Sequence, residues 1–383
     1  MRVAFVTNIL TGYRKTFYSK LARLRDVDLL VVHGFQTKET GRPDVGSGAV
    51  IPFRTTHIQN GEKNLGTIKL RWQKGALGAV RSYDPDAIVI LGISGTFSNW
   101  LIALYAKLLG KRLIMWSCGW EAQEKGSLAL KLKKLFMLLY FKFADQHLVY
   151  STKGKRYLEE LNIRPERITV CYNGIEIDDY HRQESAIRTE AANLRREMGA
   201  AGRPVFLYVG GMLREKKVDL LLDAFTLLAE REKEAQLWLI GDGPDLPFFK
   251  EIAAGRPSDG IRFFGRIFDG VDKYFAAADF FVLPGLGGLA LNQAMFWGIP
   301  CICSEADGTE DDLVLDGVTG YRFRKGDADD LVSAMERALR DLRSGSGAVM
   351  GAEAAEVIES RSNVTKMVET FDKAFKQEPL QSN

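Results

Sequence analysis

Short apolar runs alternate along this chain with longer stretches in which apolar residues recur every three or four positions. The runs that read as strands are residues 3–7, 29–33, 87–91, 112–116, 147–150 and 168–171 in the first half. In the second half they are 205–209, 237–240, 261–264, 280–283, 301–304 and 320–323. Many are continuously apolar, as expected of parallel strands covered on both faces. Strands alternating with helices predict an α/β fold with doubly wound sheets. At 383 residues the chain exceeds what one core holds, so two Rossmann-like domains facing a central cleft are expected. A polar, helix-like stretch ending in Gly202-Arg203-Pro204 separates the two sets of strands. The expected division is therefore an N-terminal domain over 1–180, a linker over 181–203 and a C-terminal domain over 204–360. A last helix within 361–383 is expected to cross back to the N-terminal domain. Ligands of such sheets gather at the carboxyl ends of the strands.

Composition narrows the class. With 46% hydrophobic and 26% charged residues the chain reads as globular and not disordered. It contains no apolar run long enough to span a bilayer, and its first ten residues read as a buried strand, not a signal peptide. Four cysteines, at 118, 171, 301 and 303, are too few and too badly spaced for a zinc site or a disulfide framework, which points to a reducing, cytoplasmic compartment. The net charge of +3 hides an asymmetry. Residues 1–180 hold 27 Lys and Arg against 16 Asp and Glu, whereas the rest hold 25 against 33. A basic first half faces something anionic: a phosphorylated substrate, a membrane surface or nucleic acid. No nucleic-acid motif or aromatic platform accompanies it. The segment 125–142, which opens on Lys125 and closes on Lys142, sets lysines among apolar residues at helical spacing. It reads either as a helix packing one face on its sheet or as an interfacial helix touching anionic lipid.

The chemistry concentrates in the second half. The strand 280–283 runs into Pro284, glycines 285, 287 and 288, and then the helical segment 289–297. The amides of Gly287, Gly288 and Leu289 can meet an anion there, and a nucleoside diphosphate is the expected one. After 205–209 come Gly210, Gly211 and then Arg214, Lys216 and Lys217, cations that a strand end can place beside a diphosphate. The turn Gly241-Asp242-Gly243-Pro244 brings backbone close to the same edge, and the backbone at Gly265-Arg266-Ile267 can read a base. In the first half, Thr11, Gly12, Tyr13 and Arg14 form a loop at the end of the first strand. Adjacent carboxylates such as 178–179, 311–312 and 329–330 point in different directions, so no metal site is expected.

The ordered pieces VGGMLREKKVDLLLDAF, LWLIGDGP, IRFFGRI, AAADFFVLPG, QAMFWGIPCICSEADGTEDDLV and DGVTGYRF cover about residues 205–325. Together they resemble a retaining glycosyltransferase of the family 4 type, with the two-domain GT-B fold. The first half resembles that family more loosely, through its opening strand and loop and the stretch before the linker. The resemblance implies transfer of a sugar from a nucleoside-diphosphate sugar to an acceptor with retention, without a metal or other cofactor. It puts Lys216 on the donor diphosphate, with Arg214 offered in place of an arginine that falls on Gly211. Gly12 and Gly241 join Gly211 on the donor side, and Ile267 meets the base. The family's paired glutamates fall on Gly285 and Gln293, so both are replaced. Gln293 still offers an amide to the ribose. Where relatives have a histidine, this chain has Trp116-Ser117-Cys118-Gly119-Trp120-Glu121. Glu121 either orients a reacting hydroxyl or caps a helix, and Trp116 and Trp120 either stack on sugar or pack in a core. Trp120 joins Thr11, Tyr13 and Arg14 on the acceptor side. The expected acceptor is a lipid-linked saccharide in surface polysaccharide or lipopolysaccharide assembly, met at the inner face of the plasma membrane. A catalytically silent binding relative and a sugar-nucleotide epimerase are the alternatives.

Overall fold

The structure is a computed structural model and describes residues 1–34, 51–65, 68–119, 128–256 and 260–376. The chain divides into two compact units, Met1–Tyr172 with Val364–Asn383, and Asn173–Asn363.

The first unit is built on β1 (Arg2–Ile9), α1 (Lys15–Ala22), β2 (Asp28–Gly34), β3 (Arg54–Leu65), β4 (Ile68–Lys74) and α2 (Ala76–Tyr83). These are followed by β5 (Ala87–Leu91), α3 (Phe97–Leu108), β6 (Arg112–Ser117), α4 (Leu128–Phe141), β7 (Gln146–Val149), α5 (Thr152–Glu160) and β8 (Ile168–Val170). The sheet order is β4-β3-β2-β1-β5-β6-β7-β8, parallel except for the β3–β4 hairpin. That hairpin has no counterpart among the expected strands, because its polar, alternating sequence gives no continuous apolar run. Gly61 lies opposite Trp72, so the indole crosses a strand where a β-carbon would collide with it. The central strands are apolar on both faces because both are covered. One face meets Ala103 of α3 and Tyr140 of α4; the other meets Phe17 and Leu21 of α1.

The second unit begins with α6 (Asp178–Glu197) and β9 (Val205–Val209), α7 (Val218–Ala229), β10 (Gln236–Ile240), α8 (Leu246–Ala254) and β11 (Ile261–Gly265). It continues through α9 (Asp272–Ala277), β12 (Phe280–Leu283), α10 (Ala290–Phe296), β13 (Cys301–Cys303), α11 (Thr309–Leu313), β14 (Gly320–Arg322), α12 (Ala328–Ser344) and α13 (Ser346–Arg361). Its six strands are all parallel, in the order β11-β10-β9-β12-β13-β14. Both parallel sheets therefore show the doubly wound α/β arrangement expected from the apolar pattern. The last helix, α14 (Val364–Lys376), returns to the first unit and sets Phe371 against Phe5, Phe17 and Trp116.

Residues 181–203, expected as a linker, mostly continue α6 and belong to the second unit. Ala191 and Leu194 bury one narrow stripe of this otherwise polar helix. The Arg195 guanidinium pairs with Asp279 at 3.1 Å and donates to the Ala277 carbonyl at 2.7 Å. A stripe that narrow is easily lost in a sequence dominated by charge.

Candidate functional site

In the second sheet the chain winds outward in both directions from the neighbouring strands β9 and β12. Loops leaving the carboxyl ends of two such strands diverge, and this switch point is where an open α/β sheet forms its ligand crevice. The β9 loop carries Gly211 and Lys216; the β12 loop carries residues 284–289. Lys216 ties the two together. Its ammonium donates to the carbonyls of Leu286 and Gly287, each at 2.7 Å. The Leu286 amide donates back to the Glu215 carbonyl at 3.3 Å. Gly288 stands exposed, with nothing within 4 Å of where a β-carbon would sit, and Leu289 follows it at the start of α10.

Neighbouring turns close on this centre. Gly241 has φ 142° and packs so tightly on the Gly210 carbonyl that no β-carbon fits. Its amide donates to Gly265 at 2.8 Å, joining the β10 and β11 loops, and half-buried Ile267 lies just beyond. Gly211, Lys216, Gly241, Ile267, Gly287, Gly288 and Leu289 thus share the carboxyl edge of one sheet.

Two other expected residues are engaged elsewhere. Arg214 lies over the Phe248 ring, 3.2 Å from its centroid, and its Nε donates to the Asp245 carboxylate at 3.3 Å. It braces α8. Gln293 sends its amide N–H groups to Asp272 Oδ1 at 2.7 Å and the Tyr180 hydroxyl at 3.3 Å. Trp297 donates to the same Asp272 oxygen at 3.1 Å, so Gln293 works within an internal network.

Position 285, where the resemblance places a glutamate, has no room for a side chain. A β-carbon on buried Gly285 would lie 2.7 Å from the Glu215 carbonyl oxygen and 2.7 Å from the Lys216 carbonyl carbon. That backbone cannot yield as a flexible side chain would. Gly211 is different, since a β-carbon there meets only Leu213, at 3.5 Å.

One loop further, a carboxylate that the sequence left unremarked organises the end of β13. Glu310 is 1% exposed and accepts from the amides of Ala306 at 2.5 Å, Asp307 at 3.2 Å and Gly308 at 3.0 Å. Burial pushes its carboxyl up from the usual range while the Ala306 and Glu310 backbone amides pull it back. An acid in the first turn of a short helix, just after Gly308, is the only signal the sequence offered. Beside it in β13, burial raises Cys303 to about 12 and Cys301 well above its ordinary value, as befits structural thiols.

In the first unit, Thr11, Gly12, Tyr13 and Arg14 turn the chain from β1 into α1. Tyr13 is half exposed, whereas Arg14 is 8% exposed, its guanidinium 4.6 Å from the Trp116 ring centroid and 3.7 Å from the Met367 sulfur. Trp116 sits in an aromatic core with Phe5, Phe17, Tyr150 and Phe371 and is 3% exposed, which fits packing and not sugar stacking. Trp120 and Glu121 lie outside the described residues. Among the described residues no group of three His, Cys, Asp or Glu is placed to hold a metal, and no helix is long and apolar enough to cross a membrane.

Residues 203–341 match the family model described as glycosyl transferases group 1. That match falls on the unit holding the Lys216 loop. Over that stretch the chain resembles glycosyltransferases. It is 26% identical to the sulfoquinovosyl transferase SQD2 of Arabidopsis thaliana, over 86% of this chain and 64% of that protein. It is 27% identical to a lipopolysaccharide 1,6-galactosyltransferase of Escherichia coli, over 52% of this chain and 53% of that protein. The chain thus spans just under two thirds of the first relative and about half of the second. In structure it resembles Anabaena HepE, solved with UDP, with a TM-score of 0.73 and 17% identity, covering 98% of this chain and all of that one. HepE has also been solved with UDP-glucose, at a TM-score of 0.68. The two parallel-sheet units show the GT-B fold.

Proposed function

We propose that this chain is a retaining glycosyltransferase that moves a sugar from a nucleoside-diphosphate sugar to a saccharide acceptor. The observation that carries the reading is Lys216, held by the carbonyls of Leu286 and Gly287 at the switch point beside exposed Gly288. A diphosphate entering there meets one ammonium and a backbone without side chains. Negative charge grows on that diphosphate as the glycosidic bond breaks, and a fixed cation in a partly dry site stabilises it. The leaving phosphate then accepts the proton of the attacking hydroxyl on the same face of the sugar, giving retention. Metal chemistry has no part in this scheme. HepE, solved with UDP-glucose, makes a UDP-sugar the first donor to try.

The acceptor we propose is a lipid-linked saccharide, met at the cytoplasmic face of a membrane, in surface polysaccharide or lipopolysaccharide assembly. Support comes from the first unit. Leu135, Phe136 and Leu139 of α4 and Phe97, Leu101, Leu104 and Leu108 of α3 are exposed, and the tilted Trp100 and Phe136 rings meet between the two helices with centroids 4.2 Å apart. Neither helix contains an acidic residue, while Lys107 and Lys142 lie exposed at their ends. An apolar surface with a cationic rim suits an anionic bilayer.

Calorimetric titration with UDP, followed by NMR of the product made from UDP-glucose and a lipopolysaccharide core oligosaccharide, tests the reading. UDP binding lost in Lys216→Ala and a product retaining the donor's anomeric configuration are expected. UDP, GDP, ADP and TDP all failing to bind, or an inverted product, would overturn it. Nucleotide binding without transfer to any acceptor would favour a silent sugar-nucleotide-binding relative, the second reading that committed Gln293 and absent side chain at 285 keep in view.

A further inference from the structure

We propose that Asp307 is the residue that grips the donor sugar, an inference that rests on the transferase reading above. Sugar hydroxyls are hydrogen-bond donors, and a carboxylate is the acceptor that holds them most strongly. At the switch point the two positions expected to meet the donor through side chains do not serve. Gly285 has no side chain and no room for one, and the Gln293 amide is turned to Asp272 and Tyr180.

Asp307 approaches from the next strand. Its two carboxylate oxygens lie 3.0 and 3.4 Å from where a β-carbon on Gly287 would sit. The carboxylate therefore rests against the glycine loop itself, next to the Gly287 carbonyl that Lys216 holds. Its position is built. The Thr309 amide donates to Oδ1 at 3.1 Å, and buried Glu310 anchors the backbone on both sides of Asp307 through the amides of 306, 307 and 308. The neighbouring acid Asp311 points elsewhere, paired with Arg322 at 2.7 Å. An anion so close to a diphosphate is tolerable because Lys216 enters the same loop. Asp307 thus accepts from ring hydroxyls of the sugar, and the orientation of those hydroxyls decides which donors it accepts.

The test compares the whole chain with Asp307→Asn and Asp307→Glu, using UDP, UDP-glucose and the epimeric UDP-galactose. Calorimetry reads binding, and donor turnover reads kcat and KM separately. Asp307→Asn should leave UDP affinity and melting temperature within about twofold and 2 °C of wild type. It should lower kcat/KM for the better donor by about 10²–10³, the size of a lost transition-state hydrogen bond. Discrimination between the two epimers should narrow, and Asp307→Glu should recover part of the loss. Parallel losses of UDP and UDP-sugar binding would mean that Asp307 only shapes the loop, and the proposal would fall. So would unchanged donor kinetics. A wild-type chain that binds UDP but shows these null effects leaves the transferase reading standing, whereas a chain that binds no nucleotide overturns both.

Discussion

Glycine at 285 and glycine at 288 belong to one loop and answer to different constraints. The first is buried with backbone 2.7 Å from any added β-carbon, whereas the second faces open space. Gly285→Ala should therefore cost about 1–3 kcal/mol, the usual penalty of overpacking. Gly288→Ala should stay within about 1 kcal/mol. Urea unfolding of the two variants decides this, and equal costs would show that the β9 loop moves away freely. Arginine 214 makes the converse point. Its charge looked available to a diphosphate, yet stacking on Phe248 and pairing with Asp245 give it a structural partner on each side. Lys216, two residues on, is the last residue of a short helical turn, Arg214–Lys216, that Lys217 caps at φ 55°, and its side chain reaches the glycine loop.

Among the elements, the loop from β13 to α11 depends most on a single side chain. Three backbone amides converge on Glu310, and without it those of Ala306 and Gly308 would be left buried and unpaired. Glu310→Gln keeps one accepting oxygen and turns an NH₂ group towards N–H donors. Thermal denaturation should show a loss of about 2–4 kcal/mol, and donor turnover should fall with it because Asp307 rides on this loop. A loss below about 0.5 kcal/mol would mean that water or other groups satisfy those amides. The β3–β4 hairpin is held similarly by polar contacts. Gln73 donates to the Thr7 carbonyl at 3.0 Å and Asn60 to the Asn8 carbonyl at 2.7 Å, tying it to the end of β1. Such contacts leave no apolar trace, which is why the hairpin was invisible in the sequence.

At the scale of the molecule, pH should act on the first unit through His147. This residue of β7 is 1% exposed, and its Nε2 donates to the Phe141 carbonyl at 3.1 Å. Burial holds its pKa down at about 4, from an ordinary 6.5. The unfolded chain therefore binds a proton that the folded chain refuses between these values. Stability is whole above pH 6.5 and falls as pH drops towards 4, by about 3 kcal/mol in all. His147→Leu should flatten that slope in urea titrations repeated across the window; an unchanged slope would assign it to other groups.

The sequence by itself determined the two parallel sheets, because strands buried on both faces must be apolar throughout and every strand expected on that ground is present. It also determined that the glycine-rich turn, Lys216 and the Gly241 turn lie at strand ends, since that follows from order along the chain. Tertiary structure alone decided where side chains of similar chemistry point. It sent Arg214 and Gln293 to internal partners, made Trp116 a core residue, closed position 285 to any side chain and brought Asp307 against Gly287. Those outcomes depend on ångström-scale contacts between loops from different strands, and apolar spacing along a chain carries no information about them.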